Sequence, residues 1–323
     1  VSTQSALSLD DVRAALGRIA PHVHRPPLLP SKSLTDRLGV EVRLKCENLQ
    51  RSGSFKIRGA MNALSQLPAE ARSSGVVAFS SGNHAQGVAL AARILGIPAT
   101  IVMPEDSVRS KVEATRGYGA RVVQDGVTPS NRGEIAARIA AETKATIIPP
   151  FHHPHIIAGA GTVGLEIVED WPDVTTIVAP LGGGGLLAGV SLAATSMNPA
   201  IDVWGVEPEA GNDGQLSFRS GRIHSITPPD TIADGARTTA LGELNFSIIR
   251  ERVRDIETVD DDALRDATLW TMYRTKLVIE PTGALGLAAL LEGRIRPRGP
   301  VAIVISGGNV HWPALFAGRT GQR

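Results

Sequence analysis

The chain has 323 residues, 42% hydrophobic and 20% charged, with a net charge of +1. That length allows roughly two domains of ordinary size, while the charge balance argues against a nucleic-acid groove or a membrane surface and no apolar run approaches the ~20 residues of a membrane span. A single cysteine, Cys46, excludes an intrachain disulfide and fits a reducing, cytoplasmic setting.

In chain order, the N-terminal VSTQSALSLDD lacks a basic-then-apolar leader pattern. Leu9, Val12, Leu16 and Ile19 then mark one face of a helix, with Ser8 and Asp11 at capping-box spacing. Short β-branched runs follow, alternating with helical patterns. Strands are predicted at 42–46, 75–80, 99–103, 121–124, 146–148, 176–179, 203–206 and 301–305. Helices are predicted near 57–67, 84–95, 108–117, 131–143, 156–170, 186–197, 260–277 and 283–293. This alternation, with nearly continuous apolar strands, indicates an α/β architecture of parallel-rich sheets covered by helices. The strand–helix units of 75–146 read as a small domain inserted into a large one formed by 1–74 and 147–323.

Lys56 lies in QRSGSFKIRGA (50–60), between Phe55 and Ile57 and just after Gly53 and Ser54. A lysine amine is nucleophilic only when partly deprotonated. Burial beside apolar groups lowers its pKa and permits Schiff-base chemistry with an aldehyde. The same pattern in isolation also describes a snorkelling surface lysine, so its meaning depends on two further segments. In FSSGNHAQGVALAA (79–92) a strand ends and a helix begins near Asn83 or His84. Ser80, Ser81, Gly82 and Asn83, with His84 next, place hydroxyls, an amide and free N–H groups at a helix start. That suits a substrate carboxylate; plain N-capping is the alternative. LGGGGLLAGV (181–190) follows the strand-like TTIVAP and opens an apolar helix. Its four glycines leave backbone N–H groups unobstructed at a positive helix terminus, which makes a phosphate cup. A phosphate cup, a carboxylate cup and an amine nucleophile are together what pyridoxal 5′-phosphate chemistry on an amino acid requires.

SGSFKIRGA, SSGNHAQG, GGGGL, IEPTGA and SGGN occur in this order. Together they resemble the fold-type II pyridoxal-phosphate enzymes, over residues 8–312, and within them the serine/threonine dehydratase and serine racemase family. The resemblance implies a two-domain, tryptophan synthase β-like fold and a homodimer. It implies that Lys56 carries the cofactor, that Phe55 packs against its ring and that Asn83 bonds the ring hydroxyl. The N–H groups of Gly182, Gly183, Gly184, Gly185 and Leu186 would hold the phosphate, and Ser306 would face the pyridine nitrogen. A hydroxyl there, unlike a carboxylate, leaves the ring largely neutral and favours loss of a β-leaving group over transamination.

EPEAGNDG (207–214) reads on its own as an acidic turn. By the resemblance, the Glu207 carboxylate, the Gly211 carbonyl and the Asp213 carboxylate hold a divalent cation, and oxygen ligands suit Mg²⁺, Mn²⁺ or Ca²⁺. GAGTVG (159–164) matches a dinucleotide fingerprint but follows no clear strand, so helix packing is the better reading. His152, His153 and His155 resemble a metal cluster, yet Pro154 forbids a helical i, i+4 pair.

The reaction expected is β-elimination of water from a 3-hydroxy amino acid, with Lys56 as general base and L-threonine and L-serine as default substrates. Ser81 opens an alternative, because serine racemases carry serine at that position: Lys56 and Ser81 would act as two bases. TIADGARTTALGELNF (231–246) is similar to enzymes that dehydrate threo-3-hydroxyaspartate. The second carboxylate of that substrate needs a cation, for which Arg132 is the candidate and Arg237 the weaker one. A non-catalytic cofactor or amino-acid sensor is the remaining alternative.

Overall fold

The computed structural model describes residues 7–316. Residues 1–6 and 317–323, the two ends of the expected large domain, lie outside the described residues. In chain order the strands are β1 (Leu28–Pro30), β2 (Val42–Cys46), β3 (Val76–Phe79), β4 (Ala99–Val102), β5 (Arg121–Val123), β6 (Thr146–Ile147), β7 (Thr176–Pro180), β8 (Asp202–Pro208), β9 (Asp255–Val259) and β10 (Val301–Ile305). A six-stranded sheet runs β1-β2-β10-β7-β8-β9 and a four-stranded sheet runs β5-β4-β3-β6. Only β1 pairs antiparallel in these sheets; every other pairing is parallel. This is the parallel-rich α/β architecture that the sequence pattern indicates.

TIVAP of β7 and VAIVI of β10 are buried along their whole length. Strands covered by helices on both faces take such continuous apolar runs. β1 and β9 are not among the predicted strands. Both lie at sheet edges. β1 is three residues ending in proline, and DIETV of β9 holds three polar residues, so neither shows the apolar continuity of a buried strand.

Helix Leu9–Ile19 begins with the expected capping box: Ser8 Oγ accepts from the Asp11 amide, and the Asp11 carboxylate accepts from the Ser8 amide. GAGTVG lies inside helix Pro154–Asp170, as the packing reading expects. A methyl on Gly161 would sit 2.9 Å from the Gly189 carbonyl of helix Gly185–Met197. One on Gly159 would sit 2.7 Å from Gly59 Cα of helix Lys56–Ser65. Helix Pro154–Asp170 therefore meets both neighbours backbone to backbone.

β2, β7 and β10 are parallel, with Ile305 opposite Cys46 and Ile303 opposite Val178, so their C-terminal ends open on one sheet edge. In open α/β sheets that edge is where ligands bind. The chain leaving β2 leads to Lys56, that leaving β7 to the four glycines, and that leaving β10 to Ser306. The smaller sheet contributes the turn that follows β3. Its core cluster includes Val88, Ile101 and Met103 together with Ile57, Met61 and Leu64, so the Lys56 helix also packs against that sheet.

Candidate active site

Lys56 is the first residue of helix Lys56–Ser65. Gly53 turns the chain into it at φ +70°, a left-handed conformation that glycine adopts freely, and a methyl there would press on the Asn309 side chain. The Phe55 amide donates to the Ser306 carbonyl at 3.1 Å, and Ser54 forms a β-bridge with Gly307. The lysine segment is thus stitched to the loop after β10. Lys56 Nζ donates to the Pro150 carbonyl at 2.9 Å and lies 5.2 Å from the centre of the Phe55 ring. Burial lowers its pKa to about 8, against the opposing pull of Glu280. The sequence-predicted depressed lysine is what the packing produces.

The amine opens onto a cavity lined by Gly182, Gly183, Gly184, Gly185, Leu186 and Ser306, with Phe151 and Thr282. Among the described residues, the amides of these four glycines and of Leu186 donate to no backbone carbonyl. They sit at the N-terminus of helix Gly185–Met197, where unpaired N–H groups and the helix dipole favour an anion. Gly184 is at φ +92°. A methyl on Gly183 would overlap the Phe151 ring, and one on Gly184 would lie 2.9 Å from Asn245 Cβ. Asn245 Nδ2 donates to the Gly183 carbonyl at 2.9 Å and to the Phe151 carbonyl at 3.1 Å, which turns the glycine carbonyl away from the cup. Ser306 is buried, and its hydroxyl has no hydrogen-bond partner among the described residues.

After β3, Ser80 Oγ accepts from the Gly82 amide at 3.2 Å, and helix Asn83–Leu95 begins. Ser81 Oγ accepts from Arg132 Nη1 at 3.0 Å; Arg132 opens helix Arg132–Thr143. Asn83 Nδ2 donates to Glu280 Oε1 at 2.6 Å, and its Oδ1 accepts from Asn309 Nδ2 at 2.9 Å. His84 is buried with Nε2 3.0 Å from the Ile148 carbonyl. Its ring is therefore engaged with the protein, and only its backbone N–H is left at the turn. Arg237, the weaker cation candidate, folds back with Nε and Nη2 both on the Thr231 carbonyl, at 2.9 and 2.6 Å.

Three groups at this site carry no role in the sequence reading. Glu280, in IEPTGA, is buried beside Asn83, and its Oε2 has no partner among the described residues. Burial pushes its pKa up to about 7; Lys111, Asn83 and the Asn309 amide pull it down and Asp234 pushes it further up. Lys111 is buried, forms an ion pair with Asp234, and lies 3.5 Å from where a methyl on Gly82 would stand. Burial lowers the Lys111 pKa, but Asp234 and Glu280 outweigh it and hold the ammonium charged. A glutamate before a proline-led apolar helix is a local signal for Glu280. Lys111 and Asp234, far apart in sequence, have none.

These residues fit the cofactor. The cup has free amides that any Cβ would crowd, Ser306 brings a free hydroxyl, and the amine at Lys56 is already poised. The acidic turn also shows a fit. Glu207 is buried and accepts from the Gly214 and Gln215 amides at 3.1 and 2.8 Å. Burial and the nearby Asp213 raise its pKa well above the usual carboxylate value. Asp213 is buried, both its carboxylate oxygens lack a partner among the described residues, and burial raises its pKa to about 7. Buried carboxylate oxygens without donors match a cation site. Gly211 closes the short 3₁₀ turn between the two carboxylates.

A family model described as pyridoxal-phosphate dependent enzyme matches residues 19–307. The chain is 52% identical to the L-threo-3-hydroxyaspartate ammonia-lyase of Saccharomyces cerevisiae, over 96% of each chain. It is 49% identical to the serine racemase of Schizosaccharomyces pombe, over 93% of this chain and 94% of that one. The crystal structure of a threonine deaminase from T.th. superposes with a TM-score of 0.90 at 48% identity, covering 94% of this chain and 98% of that one. With the lysine, the glycine cup and the serine hydroxyl gathered at one sheet edge, this chain belongs to the pyridoxal-phosphate dependent enzymes of fold type II.

Proposed function

We propose that the protein is an ammonia-lyase that removes water from a 3-hydroxy amino acid of the L-threonine/L-serine class, giving a 2-oxo acid and ammonia. The observation that carries this reading is that Lys56, the glycine cup and Ser306 line one cleft, to whose side the turn after β3 is tied through the hydrogen bonds of Asn83 with Glu280 and Asn309. Pyridoxal phosphate, when bound, supplies an electron sink for the charge that develops at the substrate α-carbon. Lys56 would hold its aldehyde, Phe55 would flank its ring, the amides from Gly182 to Leu186 would hold its phosphate and Ser306 would offer a hydroxyl to the ring nitrogen. Asn83 would bond the ring hydroxyl, sharing an amide already engaged with Glu280 and Asn309.

Ser80, Ser81 and the N–H groups of Gly82, Asn83 and His84 bind the substrate carboxylate at a helix start. Lys56 Nζ takes the α-proton. At a pKa of about 8, roughly a tenth of it is neutral at pH 7, against far less than 1% for an ordinary lysine. The β-hydroxyl leaves with one proton as water, balanced by the α-proton taken up by Lys56, and the released enamine adds water in solution to give the 2-oxo acid and ammonia. A second reading, L-threo-3-hydroxyaspartate as substrate, is favoured by the Arg132–Ser81 contact, which puts a cation beside the carboxylate turn. The same Ser81 hydroxyl, opposite Lys56 in the two-base scheme, supports serine racemisation as a side activity.

Glu207, the Gly211 carbonyl and Asp213 would hold a divalent cation, Mg²⁺, Mn²⁺ or Ca²⁺, as a structural or activating ion. The segment 75–146 would act as a small domain that ligands draw toward the large domain of 1–74 and 147–323. The exposed, stacked Trp312 and Phe316 offer apolar surface for the second copy of a homodimer. A buried, lone Cys46 is in keeping with the cytoplasm.

Borohydride reduction followed by peptide mapping tests the anchor: the pyridoxyl tag is expected on Lys56, and a tag elsewhere overturns the proposal. Competing L-serine, L-threonine and L-threo-3-hydroxyaspartate in one ammonia-release assay separates the substrates, and chiral analysis of residual serine reports racemisation.

A further inference from the structure

Arg58 lies two positions after Lys56, about 200° around the same helix, so the two side chains leave on opposite faces. Lys56 reaches the cleft. Arg58 is fully buried and its five N–H donors are all engaged. Nε and Nη2 grip the two oxygens of Glu47 at 2.9 and 2.8 Å. Nη1 and Nη2 grip the two oxygens of Glu166, both at 2.8 Å, and Nη1 also donates to Thr162 Oγ1 at 2.9 Å. Lys45 Nζ completes the group, donating to Glu166 Oε2 at 2.6 Å and to the Pro26 carbonyl at 2.7 Å. Two cations and two carboxylates therefore form a neutral box with almost no exposure to water.

Stability alone does not account for this box. Desolvating four charges is expensive, and apolar side chains of similar volume commonly serve as well or better. Geometry gives it a different use. Gly59 and Gly159 bring helices Lys56–Ser65 and Pro154–Asp170 into backbone contact. Smooth glycine faces set the distance between two helices but resist rotation and sliding poorly. A planar guanidinium held by two bidentate carboxylates resists both, because its fork accepts only one orientation. Glu47 follows β2 directly and Glu166 lies in the helix behind, so the clamp refers the Lys56 helix to the sheet and to its neighbour at once.

We propose that Arg58 is a positioning residue for Lys56: the buried box with Lys45, Glu47 and Glu166 fixes the rotation of helix Lys56–Ser65 and so aims the lysine amine at the space between the glycine cup and Ser306. This rests on the reading of Lys56 as the cofactor-bearing residue.

The test is Arg58→Lys, which keeps the charge and loses the fork. Apoprotein melting, the Kd for pyridoxal phosphate and steady-state kinetics are measured on the full chain. Weakening of cofactor binding by about tenfold or more is expected, with kcat down about 10- to 100-fold, the scale of a small misplacement of a reacting group, and KM within about twofold. The borohydride tag stays on Lys56 at saturating cofactor. A lowered Tm with cofactor Kd and kcat within twofold of wild type would make the box purely structural and overturn the proposal. Should Arg58→Lys fail to fold, Thr162→Val removes one of the five bonds without touching a charge. About a threefold loss in cofactor affinity and in kcat is expected from it, and no change in either overturns the proposal. A wild-type tag on a residue other than Lys56 defeats the parent reading instead, whatever the variants do.

Discussion

Arg132 Nη1 and Ser81 Oγ are 3.0 Å apart, which joins helix Arg132–Thr143 to the turn that follows β3. The contact places a half-buried guanidinium on the hydroxyl that would meet a substrate carboxylate or deliver a proton. Arg132→Met is expected to lower kcat/KM for L-threo-3-hydroxyaspartate by about 100-fold or more, since it leaves a desolvated carboxylate unpaired. The loss for L-serine should stay below about tenfold. Equal losses on both substrates would remove Arg132 from recognition of the second carboxylate. Ser81→Ala should abolish formation of D-serine while ammonia release from L-serine persists, measured by chiral chromatography alongside the lyase assay.

Lys111 and Asp234 join the smaller sheet's side of the cleft to the segment beside the glycine cup. Because Lys111 is buried and Asp234 partly open, either Lys111→Met or Asp234→Asn is expected to destabilise by about 2 kcal/mol, between the values for exposed and fully buried pairs. The double variant should cost clearly less than the sum. Urea titrations of the four proteins give the coupling, and strict additivity would show that the pair does not act as a unit.

His84 sets a pH dependence. Burial first, then the Lys56 charge, lowers its pKa from 6.5 to about 3. The unfolded chain binds a proton on this ring below pH 6.5, while the folded chain does not until about pH 3. Its contribution to stability is therefore complete above pH 6.5 and is lost as pH falls through that window, at about 1.4 kcal/mol per unit. The stability gap between wild type and His84→Gln should shrink by about 2 kcal/mol between pH 7.5 and pH 5. An unchanged gap would mean that the ring is not held neutral.

The acidic turn should respond to metal. Asp213, raised to about 7 by burial, must lose its proton to bind a cation, so affinity for Mg²⁺ or Ca²⁺ is expected to rise as pH increases through neutrality. A hundredfold excess over Kd should add about 2.7 kcal/mol to stability. A chelator should reverse this, and Asp213→Asn should abolish it. Thermal melts with and without chelator decide the point; no shift with any divalent ion refutes the site.

Local chemistry made much of this site readable. Four consecutive glycines between an apolar strand and an apolar helix need no partner elsewhere to announce a cup. The serines before helix Asn83–Leu95 announce a helix start in the same way. Long-range electrostatics did not show. Lys45, Arg58 and Glu166 look like ordinary surface charges in a linear chain, and only folding puts them in one dry box. Lys111 sits in RSKVEAT, a stretch with nothing to separate it from a solvated helix face. Edge strand β9 escaped for a related reason: its polar residues resemble a loop until β8 pairs with it.

Helix Pro154–Asp170 touches the Lys56 helix at Gly59 and Gly159 and the cup helix at Gly161 and Gly189. Lys56 and the glycine cup thus share a single chassis, with no compressible side-chain layer at these glycine contacts. Substrate scope is then free to drift only on the opposite wall, through the turn after β3 and Arg132. Redesign for new amino acids belongs there, and any bulk added along the glycine seam should disable every substrate alike.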